Sequence, residues 1–268
     1  MKSFTHKSVL AAVLLFPFIL SCSVKENRSV CPCYLNVNID AYAVKDEYPA
    51  VMVQVRGRSL IQNIVVPDEY EFGGYEIKVP RCISHISVIG GLQNSIIDGD
   101  TLRIVEGKEP GPLFMFNDVV DCNGEVAFSK ALPKKKWCDI HIILVGEKTA
   151  ENFEHDIILS AECNALCISS GLPIAGEYKV PVRRLQSGNL VVSIPRQKSN
   201  TLKLEFFEKD EEQKMPVYDL NVGCEMEKQG YDWNKDILDD VNIYVDYAKL
   251  SVDVNVVEWD IAQFNIEI

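Results

Sequence analysis

Residues 35–42 read Leu-Asn-Val-Asn-Ile-Asp-Ala-Tyr, so apolar and polar side chains alternate along this stretch. Successive side chains of a β-strand point to opposite faces, and this alternation predicts a strand with one face in a core and one in solvent. Similar segments follow at 51–55, 75–79 and 83–89, separated by glycine pairs or polar turns. Short strands at this spacing predict an all-β sandwich architecture.

Predicted strands continue through the second half of the chain. A nearly continuous apolar run at 140–145 is typical of a central strand. Four further segments predict strands at 157–161, 178–182, 190–194 and 202–207. The only helix candidates are short and lie at 149–155 and 233–239.

Turn residues and one polar stretch divide the chain. Asn-Gly at 123–124 and Ser-Gly-Asn at 187–189 each separate two apolar segments and predict hairpin turns. The polar stretch at 146–154 lies near the middle of the chain. It predicts a boundary between an N-terminal β-sandwich at 34–148 and a C-terminal β-sandwich at 149–268.

The C-terminal segment alternates like a strand but changes phase twice. Three apolar sets follow one another: Leu250, Val252, Val254 and Val256; then Val257, Trp259 and Ile261; then Phe264, Ile266 and Ile268. A one-residue slip turns every side chain to the other face unless a bulge or bend absorbs it, so the tail predicts two or three strand segments. An apolar strand promotes aggregation unless it is paired. The tail is therefore a candidate edge strand of its own domain or a candidate donor strand for another subunit.

The N-terminus has the pattern of an export signal. Lys2 and Lys7 precede a mostly apolar run at 9–20, which is shorter than the roughly 20 residues that a membrane-spanning helix needs. The run ends at Ser21-Cys22, and Ile-Leu-Ser-Cys at this point resembles the bacterial lipobox.

This pattern predicts a signal peptide at 1–21 and a lipidated tether at 22–33, with acyl chains on Cys22. Two or more acyl chains hold a protein stably on a membrane. An ordinary signal peptide that is followed by a cysteine through chance is the alternative.

Composition and missing motifs exclude several functions. The formal net charge is −12 and no basic stripe is present, which argues against nucleic acid as a partner and against electrostatic attachment to a membrane. The chain contains no glycine-rich phosphate loop, no zinc-protease motif and no nucleophile elbow. The sequence therefore predicts no catalytic residue and no enzymatic activity.

Candidate metal ligands are few and poorly spaced. His155 with Cys163 and Cys167 could be drawn as a zinc site, but a matching second pair of ligands is missing. Asp-Gly-Asp at 98–100 is commoner as a turn than as a calcium site. The basic run at 134–136 predicts a solvated turn. We predict no metal and no cofactor.

Eight cysteines follow Cys22: Cys31, Cys33, Cys82, Cys122, Cys138, Cys163, Cys167 and Cys224. An exported chain can form disulfides, and the sequence alone cannot choose among the possible pairings. Free or buried thiols are the equal alternative.

The order of short motifs resembles that of a known family. After Cys22 come Cys-Pro at 31–32, a strand at 34–43, Ile-Ser-Val-Ile-Gly-Gly-Leu at 86–92, Gly-Pro-Leu-Phe at 111–114, Glu-Trp-Asp at 258–260 and Phe-Asn-Ile-Glu-Ile at 264–268. This order resembles the fimbrillin-associated anchor lipoproteins of Bacteroidales, the FimB/Mfa2 family.

The resemblance implies two tandem transthyretin-like β-sandwich domains and a place at the base of a surface pilus. It implies a fimbrial stalk subunit as partner and the lipid of the cell outer membrane, through Cys22, as the attachment. Subunits of such pili join when a strand of one fills a groove of the next, a form of β-augmentation. In the tail, Phe264, Ile266 and Ile268 would then be the pocket-filling side chains.

A surface adhesin, a tip pilin or a glycan-binding lipoprotein shares most of these features. A glycan-binding site usually needs a platform of aromatic side chains, and Trp137, Trp233 and Trp259 are widely separated in the sequence. Cleavage after Arg28, by an arginine-specific protease, would free the body from Cys22. The sequence does not choose among anchor, stalk and tip.

Overall fold

The structure is a computed structural model that describes residues 31–39, 51–58, 60–66, 74–145, 155–185, 189–208, 216–246 and 251–258. This part of the chain contains nineteen β-strands and one seven-residue α-helix. The predicted all-β fold class is confirmed.

The strands form four sheets. Those of the first half are β1 (Cys33–Ile39), β2 (Val51–Arg56), β3 (Ile61–Val66), β4 (Tyr75–Val79), β5 (Ile83–Gly90), β6 (Ser95–Asp98), β7 (Thr101–Ile104), β8 (Phe114–Asp121), β9 (Val126–Ala131) and β10 (Lys134–Lys135). Those of the second half are β11 (Trp137–Val145), β12 (His155–Cys167), β13 (Pro173–Pro181), β14 (Arg183–Arg184), β15 (Leu190–Pro195), β16 (Lys203–Glu208), β17 (Tyr218–Asn221), β18 (Asp240–Asp246) and β19 (Ser251–Val257), with helix α1 (Val222–Lys228) before β18.

Sheets 1 and 2 enclose the first hydrophobic core. Sheet 1 has the strand order β4-β1-β9, and sheet 2 has the order β10-β8-β5-β2-β3. Leu35 and Val37 on β1 point into this core, where they meet Val53, Ile86 and Val88 of sheet 2. The polar residues between them on β1 face outward, as the alternation predicts.

Sheets 3 and 4 enclose the second core. Sheet 3 has the order β17-β16-β12-β7-β6, with β13 also paired to β12, and sheet 4 has the order β14-β15-β11-β18-β19. The apolar strand β11 is central in sheet 4, as predicted, between β15 and a parallel β18. Met52, Ile89 and Phe114 of sheet 2 also belong to this second core, so the two sandwiches share an apolar boundary.

The strand pairing does not follow the predicted division at residues 148 and 149. Hairpin β6–β7 lies in the first half of the chain but extends sheet 3 through pairing of β7 with β12. Strand β11, also before residue 148, pairs with β15 and β18 of the second half. The polar stretch at 146–154 thus follows the first strand of sheet 4 instead of preceding it.

Two local predictions are wrong. The Asn-Gly turn at 123–124 does not close a hydrogen-bonded hairpin, because β8 pairs with β5 and β10 while β9 pairs with β1. The turn carries the chain from sheet 2 to sheet 1. Residues 233–239 form turns and bends instead of a helix, because Trp233 and Leu238 are both drawn into the second core.

Helix α1 was not predicted. The side chain of Asn221 caps it by accepting a hydrogen bond from the amide of Cys224 at 3.3 Å. Val222 and Met226, four residues apart, face the second core. Gly230, at φ +81°, follows its end in a conformation that favours glycine.

Candidate functional site at the C-terminal edge strand

The predicted tail strand begins as the edge of sheet 4. Strand β19 pairs antiparallel with β18, and Val257 lies opposite Asp240. Val254 points into the core while Asp253 and Asn255 are exposed, so the first phase of the predicted alternation is confirmed. Among the described strands none pairs with the other edge of β19.

Of the predicted donor or edge residues, Val257 alone is described, and its side chain is 40% exposed. Trp259, Ile261, Phe264, Ile266 and Ile268 lie outside the described residues. The predicted lipidation site, Cys22, also lies outside them. The roles of these residues stay predictions.

A buried ion pair fixes the strand from which the tail departs. The ammonium of Lys135 lies 2.5 Å from the carboxylate of Asp240, and the Lys135 side chain has no exposed surface. The same carboxylate oxygen accepts a hydrogen bond from the amide of Asp139 at 2.8 Å. Lys135 also lies over the ring of Trp137, 4.9 Å from its centroid. The first residue of β18 is therefore joined to both β10 and β11.

The basic run at 134–136 is not a solvated turn, contrary to the prediction. Lys134 is the member that reaches solvent, and it pairs with the exposed carboxylate of Asp236 at 2.6 Å. Lys136 is buried and donates to the carbonyl of Asp236 at 3.1 Å. Burial, together with the nearby charge of Arg196, lowers the pKa of Lys136 to about 8. The run thus holds the loop before β18 against the end of sheet 2.

Charged residues also surround the start of the tail. Lys235 pairs with Asp239 at 2.5 Å. The hydrogen bond from Lys235 to Asp239 raises the pKa of Lys235 above its ordinary value, and the charge of Glu258 adds to the rise. Glu258, the residue that follows β19, therefore lies near Lys235 of the loop 232–239.

The two sandwiches meet at the turn between β6 and β7. The predicted turn at 98–100 is confirmed, with Gly99 at φ +57°. Asp100 accepts hydrogen bonds from the amide of Ser169 at 2.9 Å and from its hydroxyl at 2.7 Å, and it pairs with Arg56 of sheet 2 at 2.5 Å. Gln54 donates to the carbonyl of Gly99 at 2.9 Å. This Asp-Gly-Asp sequence thus joins the sandwiches.

An apolar strip lies on the outer face of sheet 1. Val126 and Phe128 of β9 are exposed, and Phe128 reaches 74%. Tyr34 lies opposite Val126 on β1 and is also exposed. Strand β9 is an edge of sheet 1, and no other described strand covers its second edge. We call Tyr34, Val126 and Phe128 the sheet 1 strip.

A cleft of about 600 Å³ separates the loop 105–112 from sheet 4. Both of its carboxylates have partners: Glu109 binds Arg183 at 2.7 Å, and Asp139 accepts a hydrogen bond from the hydroxyl of Ser193 at 2.5 Å. Trp137 borders the cleft, but its ring is buried and donates to Asp139 at 3.2 Å. The cleft therefore lacks the exposed aromatic face on which a sugar ring would stack.

The structure does not group the predicted metal ligands. His155, Cys163 and Cys167 lie along the single strand β12, and Cys163 lies eight positions after His155, which corresponds to roughly 25 Å of extended chain. Within the described ranges, no three His, Cys, Asp or Glu side chains come together as a metal site. No helix of the described part is long and apolar enough to cross a membrane.

The cysteines divide into two exposed thiols and a mainly buried set. Cys31 and Cys224 are exposed, and Cys167 is half-buried. Cys33, Cys82, Cys122, Cys138 and Cys163 are buried, and all eight described cysteines are free thiols in this structure. Burial raises the pKa of Cys122 to about 11, which keeps this thiol protonated at neutral pH.

The described part of the chain thus has a two-core, all-β fold. The chain matches no protein-family model and no curated protein sequence. Among solved structures it is similar to the fimbrial anchor protein Mfa2 of Porphyromonas gingivalis, with a TM-score of 0.56 and 11% identity over 85% of this chain and 98% of Mfa2. The resemblance expected from the sequence is therefore present at the level of the fold.

Two further solved structures share the fold. A candidate polysaccharide-binding protein of Bacteroides thetaiotaomicron gives a TM-score of 0.57 at 11% identity, over 84% of this chain and 95% of that one. A candidate adhesin of the same organism gives 0.56 at 10% identity, over 86% of this chain and 99% of that one. The similarity extends over nearly the whole length of each protein.

Proposed function

We propose that this chain is a non-enzymatic subunit of a surface fimbrium and serves as its lipid-anchored base. Lipid on Cys22 would hold the chain in the outer membrane, facing the cell surface. A fimbrial stalk subunit would join it by β-strand complementation. The tail that starts at Val257, with Trp259, Ile261, Phe264, Ile266 and Ile268, is the proposed edge or donor strand.

The observation that carries this proposal is the similarity to the fimbrial anchor Mfa2 over 98% of that protein. The lipobox at Cys22 supports the same conclusion, because a base subunit must keep its membrane attachment under load. The proposal needs no catalytic group.

Two surfaces of the described part support subunit contact. β19 and β9 are edge strands, and an edge strand presents unpaired backbone groups to which another strand can bond. The sheet 1 strip adds exposed apolar area on β9 and on its partner β1. Strand β1 is the strand into which the tether leads.

The membrane attachment is tested with Cys22→Ser. We expect this variant to lose the chain and its fibres from the membrane fraction together. Cys224→Ser removes an exposed cysteine of the body and is the matched control, which should leave both in place. Retention of the Cys22→Ser chain in the membrane would contradict lipid anchoring.

The tail is tested by deletion of residues 264–268. The expected result is release of fibres into the medium while the lipoprotein stays in the membrane. Fibres that remain attached would refute the donor role and leave the tail as an edge strand of its own domain.

A tip adhesin is the second candidate, because a candidate adhesin of B. thetaiotaomicron has the same fold. Immunogold labelling of intact fibres separates the two functions. Label at the membrane end supports the anchor, and label at the distal end supports the adhesin. A sugar-array screen of the intact chain addresses glycan binding independently.

A further inference from the structure

Three thiols lie together at one end of the first core. Cys33 is the first residue of β1 and lies opposite Val79, the last residue of β4. Cys82 follows Val79 by three residues, and its carbonyl accepts the amide of Cys122 at 3.0 Å. Cys33 and Cys122 have no exposed surface. The chain thus brings residues 33, 82 and 122 to one place.

The three thiols have different neighbours. The thiol of Cys82 lies 3.5 Å from the hydroxyl of Ser84, on the strand β5 that begins just after Cys82. Cys33 and Cys122 are both fully buried in the first core, and each affects the pKa of the other's thiol. The amide of Tyr34, next to Cys33, donates to the carbonyl of Glu125, three residues after Cys122, at 2.8 Å. Cys33 belongs to sheet 1 and Cys122 directly follows strand β8 of sheet 2, so the two thiols come from opposite sheets of the first sandwich.

We propose that Cys33 and Cys122 are the site of an oxidative cross-link, a disulfide that ties sheet 1 to sheet 2. Cys33 is the last residue of the predicted tether at 22–33 and the first residue of β1. If the proposed anchor function holds, a load pulled through Cys22 enters the body at this residue. The cross-link would pass that load to β8 and keep β1 from being peeled out of sheet 1.

The chemistry is a thiol–disulfide exchange with an oxidised dithiol oxidoreductase of the export compartment. The Cys33 thiolate attacks that enzyme's disulfide and forms a mixed disulfide, and the Cys122 thiolate then displaces the enzyme's sulfur. Two protons and two electrons leave the chain, and the oxidoreductase is released with two thiols.

The environment of the two thiols determines when the disulfide can form. The thiolate is the reactive form, and burial raises the pKa of both thiols, that of Cys122 to about 11. In the folded chain, therefore, almost none of either thiol is in the thiolate form that attacks a disulfide. The exchange takes place before the first core closes, during export, and reagents added to the folded chain do not reproduce it.

The test uses the intact chain, exported into a disulfide-forming periplasm. The chain is denatured in acid, its free thiols are alkylated with N-ethylmaleimide, and the digest is analysed by mass spectrometry. We expect one linked peptide pair that contains Cys33 and Cys122 and separates on treatment with dithiothreitol. Denaturation removes any dependence of this readout on folding.

Cys33→Ser should abolish the linked pair. Cys138→Ser is the matched control, because Cys138 is equally buried but lies in the second core, and it should leave the pair intact. Reduction should lower the thermal midpoint of the parent chain by on the order of 10 °C and leave that of Cys33→Ser unchanged.

Alkylation of both Cys33 and Cys122 would overturn the proposal, and so would a linked pair of Cys82 with Cys122. Neither result depends on fibre retention, so failure of the cross-link and failure of the anchor function are read from separate experiments.

Discussion

The ammonium of Lys135 lies 2.5 Å from the carboxylate of Asp240, although the two residues are more than one hundred positions apart in the chain. The pair joins the end of sheet 2 to the first residue of β18, beside the point where the tail leaves sheet 4. Among the described ion pairs that join the first half of the chain to the second half, this pair is the most deeply buried.

Asp240→Ala should destabilise the chain by about 3 kcal/mol, because it leaves the buried ammonium of Lys135 without this carboxylate. Urea unfolding measures the loss. Asp236→Ala is the control: its carboxylate also binds a lysine of the same run, but in solvent, and should cost less than about 1 kcal/mol. Equal losses would show that burial of the pair has no energetic consequence.

Asp100→Asn should weaken the junction between the sandwiches by about 1–2 kcal/mol, since the charge that pairs with Arg56 is lost. Asp98→Asn, across Gly99 on an exposed position, should change the free energy of unfolding by less than about 0.5 kcal/mol.

The pH dependence of this junction has a defined sign. Burial opposes ionisation of Asp100, but hydrogen bonds from Ser169 and Cys167 and the charge of Arg56 together lower its pKa. A carboxylate with a lowered folded pKa contributes stability above its unfolded pKa of about 3.8, and that contribution is lost as the pH falls through the folded value. Asp100→Asn should therefore lose less stability than the parent chain between about pH 5 and pH 2. If the free energy of unfolding fell equally in both chains over this acid range, the result would contradict this assignment.

The titration of Lys136 should increase the free energy of unfolding as the pH rises from about 8 towards 10.5. Its pKa is about 8 in the folded chain and 10.5 as the ordinary value, so the unfolded chain binds the extra proton between these limits. Lys136→Met removes this titration, and its stability should rise less over the same interval.

Phe128→Ser should reduce fibre attachment with little effect on the thermal midpoint, because the side chain is 74% exposed and contributes little to the core. Val65→Ser is the control, an equally exposed apolar residue on the edge strand β3 of the other sheet. Fibre counts on whole cells and thermal unfolding of the purified chain measure the two effects. A normal fibre count for Phe128→Ser would exclude the sheet 1 strip as a subunit contact.

Local pattern was enough to predict most strands. Alternation in β1, β4 and β19 and the apolar run of β11 reflect the side-chain period of two and burial on both faces, which are properties of short segments. Helix α1 had a signal in Asn221 as cap, Glu225 in the first turn and Gly230 after the end, but it is only seven residues long between strands.

The local sequence could not predict which strands pair with one another. The Asn-Gly turn at 123–124 has hairpin chemistry, yet sheet membership is decided by which core each strand faces. The burial of Lys135 likewise depends on Asp240, and no spacing in the sequence relates the two.

The sequence by itself determined the all-β class, the positions of most strands, the negative net charge and the lipobox pattern at Cys22, because each depends on composition or on contacts within a few residues. Tertiary structure alone decided that β6, β7 and β11 join the second core, that Asp100 links the sandwiches and that Cys33 meets Cys122. These relationships come from non-local pairing, in which the free energy depends on surfaces that meet only after the chain has folded.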